Sequence, residues 1–370
     1  MSADLSSLRI FALAASFYPR VGGGEKYALR YLEGLAERGA SVDVLTTVDD
    51  REDSTTVGTL HVHYRRAKRL GGFPYYSIAM IDEFAKASGA NVIQTFGPAA
   101  HDFALAWYVR RTGIPFVAVY HADLKDDKGI GYPVTRAHNY AVLTAARHIV
   151  STNPANSQRL AKRGLSRARI VTVVPGIDRR FYEEHRAINV DLLFVGALDE
   201  YHEYKRFDLL LRALALMRKS HDNSTLAVVG SGNRREHFEN ISRELGIADS
   251  VHFYGHVSDD KLPAMYAGAR AFILPSPTTQ EGFGLVCLEA MAAGAPVVCS
   301  RAAGVASLIA RTPGCAIWDG TNLDDLVAAI RRARSASAET RREISLGAHA
   351  YTWEAMADHL ASTIFSELVR

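Results

Sequence analysis

Thr279-Gln280-Glu281-Gly282-Phe283-Gly284-Leu285-Val286-Cys287-Leu288-Glu289-Ala290-Met291-Ala292-Ala293-Gly294 reads as a loop that runs into a helix. Ahead of it, Ala271-Phe272-Ile273-Leu274 is an apolar run closed by Pro275 and Pro277, the pattern of a buried strand entering a loop. Behind it, Ala295-Pro296-Val297-Val298-Cys299 is a second strand. Leu285, Leu288, Met291 and Ala292 fall at helical spacing, and Gly294 is placed to end the helix. Glycines at the helix start let the backbone approach a ligand and present N–H groups where the dipole favours an anion. Glu289 lies about one turn into the helix and leans back toward its start. Glu281 precedes the amides. Two carboxylates flanking an anion-binding helix tip suit a ligand with a phosphate and with hydroxyls on both sides. A nucleotide sugar has that shape.

Glu281 and Glu289, with seven residues between them, resemble the E-x7-E motif of the retaining glycosyltransferases of family 4. Two glutamates at this spacing alone would equally suit a capped surface helix. Gly282-Phe283-Gly284 inside the motif and strands on both sides make the resemblance specific. It implies an α/β chain of the GT-B fold: two Rossmann-like doubly wound domains facing across a cleft, with a C-terminal helix returning to the first. The expected domains are 1–180, joined by 353–370, on the acceptor side, and 181–352 for the nucleotide sugar.

The 370 residues exceed one ordinary core and suit two domains. A composition 48% hydrophobic and 22% charged is that of a soluble globular protein. No apolar run approaches the ~20 residues that span a bilayer. The opening residues lack a basic n-region, and 8–15 reads as a first strand and not a signal peptide. Cys287, Cys299 and Cys315 have neither a paired framework nor zinc spacing. The expected location is the cytoplasm, with the inner membrane face as a peripheral site. Residues 1–180 hold 24 Lys and Arg against 16 Asp and Glu, whereas the remainder holds 19 against 24. A basic first half is open to an anionic acceptor or lipid headgroups, and a solvated surface is the plainer reading. Nothing in the sequence points to nucleic acid.

The first half alternates strand and helix. Residues 8–15 form a strand that ends in Ser16-Phe17-Tyr18-Pro19-Arg20-Val21-Gly22-Gly23-Gly24-Glu25, followed by a helix with Tyr27, Leu29, Tyr31, Leu32, Leu35 and Ala36 at apolar positions. Strand, glycine loop, helix and strand open a doubly wound domain. The loop has neither G-x-G-x-x-G spacing nor a P-loop Lys-Ser/Thr, which excludes dinucleotide binding and ATP hydrolysis of those types. It is similar to the G-G-x-E segment of family 4, which implies that Gly23 and Gly24 press against the donor diphosphate. The alternation continues through strands at 60–64, 91–95 and 114–119 to Tyr120-His121-Ala122-Asp123. His121, just past a strand end, stands where such folds bind ligands; the resemblance implies contact with the transferred sugar. Asp123 orients His121 or caps a turn. Asn153 either lines the cleft or caps the helix that starts at Pro154. Pro175-Gly176-Ile177-Asp178 is similar to the turn that closes the family's first domain. Two basic clusters, 65–69 and 159–169, read first as solvated faces.

The second half opens at Val190-Asp191-Leu192-Leu193-Phe194-Val195-Gly196. Many relatives carry an Arg after this glycine and a Lys further on; here the Arg position is Ala197, and Lys205 keeps the basic role at a loop end before a helix. Arg206 and His202 are the alternatives for the missing positive charge. Gly230 makes room for the nucleotide, and His256 and Val257 follow the strand along which relatives hold the base. The stretches 324–333 and 339–370 read as helical, with Trp353, Met356, Leu360, Ile364 and Leu368 as an apolar face.

The resemblance implies transfer of a hexose-type sugar from a nucleotide diphosphate sugar to a hydroxyl acceptor (lipid, polysaccharide precursor or secondary metabolite), with retention and with no cofactor beyond the donor. The chain has no D-x-D for a metal–diphosphate site, so no metal is expected. Lys205 and the amides of Gly282, Phe283, Gly284 and Leu285 would stabilise the departing charge. Glu281 would hold the sugar hydroxyls and Glu289 the ribose. The rivals are a sugar-nucleotide 2-epimerase of the same fold and a non-catalytic relative, the latter favoured by Ala197.

Overall fold

The computed structural model describes residues 4–20, 22–47, 51–70, 73–96, 102–122, 140–258 and 260–368. The chain divides into two units, one of Met1–Gly176 with Trp353–Arg370 and one of Ile177–Thr352.

The first unit is built on a sheet of eight strands: β1 (Arg9–Ala14), β2 (Ser41–Thr46), β3 (Ser54–Val57), β4 (Leu60–Tyr64), β7 (Val92–Phe96), β8 (Phe116–Tyr120), β9 (His148–Ser151) and β10 (Ile170–Thr172). Their order is β10-β9-β8-β7-β1-β2-β4-β3. Neighbours are parallel except β3 and β4, which are antiparallel. The central strands β7, β8 and β9 are buried at every residue, as expected of parallel strands covered on both faces. The exposed edge strand β3 has no apolar alternation and does not stand out in the sequence. Lys68 and Arg69, from the first basic cluster, belong to a short antiparallel ladder of β5 (Lys68–Leu70) and β6 (Phe73–Tyr75).

Helix Gly23–Ala36 takes Gly22 as its N-cap, so Gly23 and Gly24 lie in its first turn rather than in the loop before it. The helix Trp353–Leu360 packs on it, running on through a π-helical segment, Ala361–Phe365, to Ser366–Leu368. Trp353 meets Tyr27 edge to face at 6.4 Å, and Phe365 meets Tyr31 at the same distance. Arg38 clamps this crossing: its Nε and Nη2 donate to Asp358 Oδ1 at 3.0 and 2.8 Å, and its Nη1 to the Gly34 carbonyl at 2.7 Å.

The second unit holds a parallel sheet in the order β13-β12-β11-β14-β15-β16. Its strands are β11 (Val190–Val195), β12 (Leu226–Val229), β13 (Val251–Gly255), β14 (Ala269–Leu274), β15 (Val297–Ser300) and β16 (Ala316–Trp318). Leu192, Phe194, Val228, Ile273 and Val298 pack with Leu210, Leu211 and Leu214 of helix Phe207–Lys219 and with Ile330 of helix Leu323–Arg334. The helix expected over 339–370 is interrupted. It spans Ala338–Ala348 and then gives way to an isolated bridge between Thr352 and Ile177. There the Tyr351 carbonyl accepts from the Ile177 N–H at 3.1 Å and the Tyr182 hydroxyl at 2.7 Å. Those bonds replace the intrahelical ones. Among the described residues, no helix is long and apolar enough to cross a membrane.

Candidate functional site

In the second unit, the loop after β14 delivers Glu281 to the start of helix Leu285–Ala292. Gly284 is the N-cap, at φ 94°. A side chain is excluded there twice: by the left-handed backbone and by Leu274 Cδ2, 3.1 Å from where a Cβ would sit. The loop is pinned from behind, since the Val305 N–H donates to the Phe283 carbonyl at 2.8 Å and the Gly304 N–H to that of Glu281 at 3.2 Å. The Cys287 N–H closes back on the Gly284 carbonyl at 2.9 Å, and the earlier N–H groups of a helix's first turn have no acceptor four residues back. Gly294, at φ 78°, follows the helix end.

Lys205 reaches this loop from the end of the 3-10 turn Glu200–Lys205. Its Nζ donates to Glu281 Oε2 at 2.7 Å, and both residues are buried, at 9% and 8% exposure. Burial alone would depress the ammonium, but the nearby Glu281 carboxylate, the Tyr204 ring and the direct hydrogen bond override it and hold Lys205 above the usual lysine range. A residue expected to face phosphate and one expected to face sugar hydroxyls are thus paired to each other. Tyr204 flanks them, with Lys205 Nζ 5.3 Å from its ring centre. Burial, followed by the charge of Glu281, pushes its phenol up to about 12. Its main-chain oxygen accepts from Ser276 Oγ at 3.0 Å, which ties the Lys205 loop to the strand-end loop.

Glu289 is buried on the same helix, where the Tyr266 hydroxyl donates to its Oε2 at 3.4 Å. Tyr266 and Tyr204 were not anticipated; each lies far in sequence from the carboxylate it accompanies, and only Tyr204, beside Lys205, carried a local signal. The alternatives to the missing arginine are both engaged. Arg206 stands in the left-handed region at φ 49° and makes a two-pronged pair with Asp208, each bond 2.9 Å. His202 Nδ1 lies 2.7 Å from Asp199 Oδ1. Gly230 closes β12, and its N–H donates to the Gly255 carbonyl at 2.8 Å, which sets it beside the strand end that carries His256 and Val257. A Cβ at Gly230 would lie 2.0 Å from the Gly196 carbonyl oxygen, so backbone packing by itself requires glycine there.

In the first unit, His121 follows β8, and its carbonyl accepts from Asn156 Nδ2 at 2.7 Å. Its ring meets Tyr27 edge to face at 4.8 Å. Burial lowers its imidazole to about 4. Asn153 caps helix Pro154–Lys162 through a bond from the Asn156 N–H at 2.9 Å. A Cβ on Gly24 would meet nothing within 4 Å. Asp123 lies outside the described residues.

Comparison with known proteins follows the same division. The family profile described as Glycosyltransferase Family 4 matches residues 21–181, and that described as Glycosyl transferases group 1 matches 178–349. The chain is 27% identical to a D-inositol 3-phosphate glycosyltransferase of Thermomonospora curvata, over 92% of this chain and 89% of that protein. Among solved structures, it resembles sucrose-phosphate synthase from Thermosynechococcus elongatus with a TM-score of 0.75 at 20% identity, covering 96% of this chain and 98% of that one. It also resembles Anabaena HepE, solved in complex with UDP-glucose, with a TM-score of 0.74 at 16% identity, covering 96% and 99%. Carrying the two profiles in succession on two parallel-sheet units, the chain belongs to the family 4 glycosyltransferases and has the GT-B fold.

Proposed function

We propose that this glycosyltransferase moves a hexose-type sugar from a nucleoside diphosphate sugar to a hydroxyl acceptor, with retention at the anomeric carbon and without a metal. The observation that carries the reading is the buried Lys205–Glu281 pair beside the glycine-capped start of helix Leu285–Ala292. An ammonium kept charged by a neighbouring carboxylate is ready for a diphosphate before the ligand arrives. As the glycosidic bond breaks, negative charge grows on the leaving phosphate. Lys205 and the amides of Gly282, Phe283, Gly284 and Leu285 would meet it with charge-assisted hydrogen bonds of ~1.5–3 kcal/mol each. The second oxygen of Glu281 is then available to the hydroxyls of the sugar. Glu289, braced by Tyr266, would hold the ribose, and His256 and Val257 would lie along the base. The first unit would supply Gly23, Gly24 and a neutral His121. Beyond the donor and the hydroxyl acceptor, this scheme calls for no cofactor.

The test is release of nucleoside diphosphate from a panel of donors, with UDP-glucose first because it occupies HepE. A hydroxyl acceptor should stimulate the release, and Lys205→Ala should abolish it. Isomerisation of the donor with no acceptor present would instead identify an epimerase.

A further inference from the structure

His121 rests on two separate supports. Its main chain is fixed from helix Pro154–Lys162, whose Asn156 Nδ2 donates to the His121 carbonyl at 2.7 Å. Asn156 is held in turn: its N–H donates to Asn153 Oδ1 at 2.9 Å, and Arg159 Nη1 donates to its Oδ1 at 3.1 Å. These bonds set the backbone and leave the side-chain torsions of the histidine open. The ring is seated from a different element, helix Gly23–Ala36, where Tyr27 meets it edge to face with centres 4.8 Å apart and planes at 86°. Ring quadrupoles favour this arrangement over a face-to-face sandwich, so the tyrosine selects one orientation of the imidazole. His121 is half-buried, and part of its ring stays accessible.

The Tyr27 hydroxyl is buried and, among the described residues, makes no hydrogen bond. What Tyr27 offers its neighbours is therefore a ring and a shape. Three other rings fix it: Tyr31, one turn on in the same helix, at 5.8 Å, Phe96 at the end of β7 at 6.5 Å, and Trp353 at 6.4 Å. Trp353 is the first residue of the segment that returns from the end of the chain to complete the first unit. One aromatic cluster thus joins positions 27, 96, 121 and 353. The carboxy-terminal segment stands a single ring away from the histidine. Further along that segment, Phe365 meets Tyr31.

Packing of this kind has a chemical consequence. Rings exclude water, and an imidazole kept from water resists the proton. Burial lowers His121 to about 4, with no carboxylate or cation among the described residues contributing. A neutral imidazole presents one N–H donor and one lone pair, whereas the protonated ring presents donors alone. Orientation then decides which of the two a ligand meets.

We propose that Tyr27 is the positioning residue of His121 and that Trp353 keeps Tyr27 in place, so that the returning carboxy-terminal segment completes the seat of the imidazole. The value of the seat to transfer rests on the reading that His121 faces the transferred sugar; the seat itself does not.

Nuclear magnetic resonance of the full chain, carrying isotopically labelled histidine, follows the seat with no donor present. The His121 signal is the one missing from His121→Asn. In the parent it should stay neutral down to about pH 5, since its midpoint lies at about 4. In Tyr27→Leu and in Trp353→Leu water reaches the ring, and the midpoint should rise above about 5, toward the ordinary ~6.5. Tyr27→Phe keeps the ring and should restore the parent midpoint. Phe365→Leu disturbs the same helix crossing at Tyr31 and should leave the midpoint where it was. In the transfer assay Tyr27→Leu should lower kcat about tenfold or more with the donor KM within about twofold, and Tyr27→Phe should recover most of the loss. Circular dichroism identifies a variant that has not folded; if that is Tyr27→Leu, Trp353→Leu carries the titration. The proposal is overturned by an unmoved midpoint in the folded Leu variants, by an equal rise in Phe365→Leu, or by a loss confined to KM. Normal transfer by His121→Asn would instead overturn the role given to His121, and the titration alone would then decide the seat.

Discussion

Lys205 and Glu281 lie 76 residues apart, and their contact is the part of the candidate site that sequence could not convey. Glu281 and Glu289 were legible because one loop and one helix carry both. What lay beyond reach was the effect of folding on the charges: an ammonium and a carboxylate almost wholly removed from water. Removing one partner of such a pair leaves the other buried and uncompensated, at about 3–5 kcal/mol. Lys205→Ala should therefore lower the melting temperature as well as cut turnover by at least about a hundredfold. Lys205→Met combined with Glu281→Leu should recover much of the melting temperature and none of the turnover. Recovery of both would show that the pair only props up the loop. His121 allows a second test. Its imidazole is held at about 4 in the folded state against about 6.5 when unfolded. Between those values the unfolded chain binds the extra proton. Stability from this group is therefore complete above pH ~6.5 and lost as pH falls toward ~4, by up to about 3 kcal/mol. His148, lowered chiefly by burial, acts in the same direction. Thermal melts from about pH 7 to about pH 4.5 should fall less steeply for His121→Asn than for the parent chain. Parallel curves would refute the assignment.

Elements were legible where burial on both faces wrote an apolar run into the sequence, as in β1, β7, β8, β11 and β14. They were hidden where burial is slight or the element is short. Ser54–Val57 is an exposed edge strand with no alternation, and Ala316–Trp318 has three residues. The break after Ala348 was invisible because backbone bonds to Ile177 cause it, and side-chain patterning does not report those. The crossing of helix Gly23–Ala36 with Trp353–Leu360 provides a prediction at this scale. Alanine for glycine inside a helix ordinarily gains up to about 1 kcal/mol. At Gly34 the new methyl would lie 2.5 Å from Ala357 Cβ, so the helices must separate. Overpacking of this kind costs ~1–3 kcal/mol, which outweighs the propensity gain. Gly34→Ala should destabilise the protein in urea unfolding, and Ala357→Gly in the same chain should restore it. A stabilised single variant would mean that the crossing yields without strain.

For the molecule as a whole, division into two α/β units was readable from length and from the strand–helix alternation running through both halves. Each unit closes its own core, one around Leu192, Phe194 and Trp318 and the other around Phe11, Ile93 and Phe116. Calorimetry should therefore resolve two transitions. A nucleoside diphosphate at a hundred times its dissociation constant should stabilise the unit that binds it by about 2.7 kcal/mol. If the second unit holds the donor, only one transition should move, and Lys205→Ala should remove the shift. Equal movement of both, or of neither, would count against a donor site in Ile177–Thr352.

The first unit is sequence-discontinuous, interrupted after Gly176 and completed by Trp353–Arg370. During synthesis, the ribosome therefore makes all of the second unit before Trp353, Met356, Leu360, Ile364 and Phe365 can reach the first. Until then the nascent amino-terminal half carries an open apolar seam along Tyr27, Tyr31 and Gly34. A premature stop at codon 353 would release a chain whose second unit is complete and whose first unit invites chaperones.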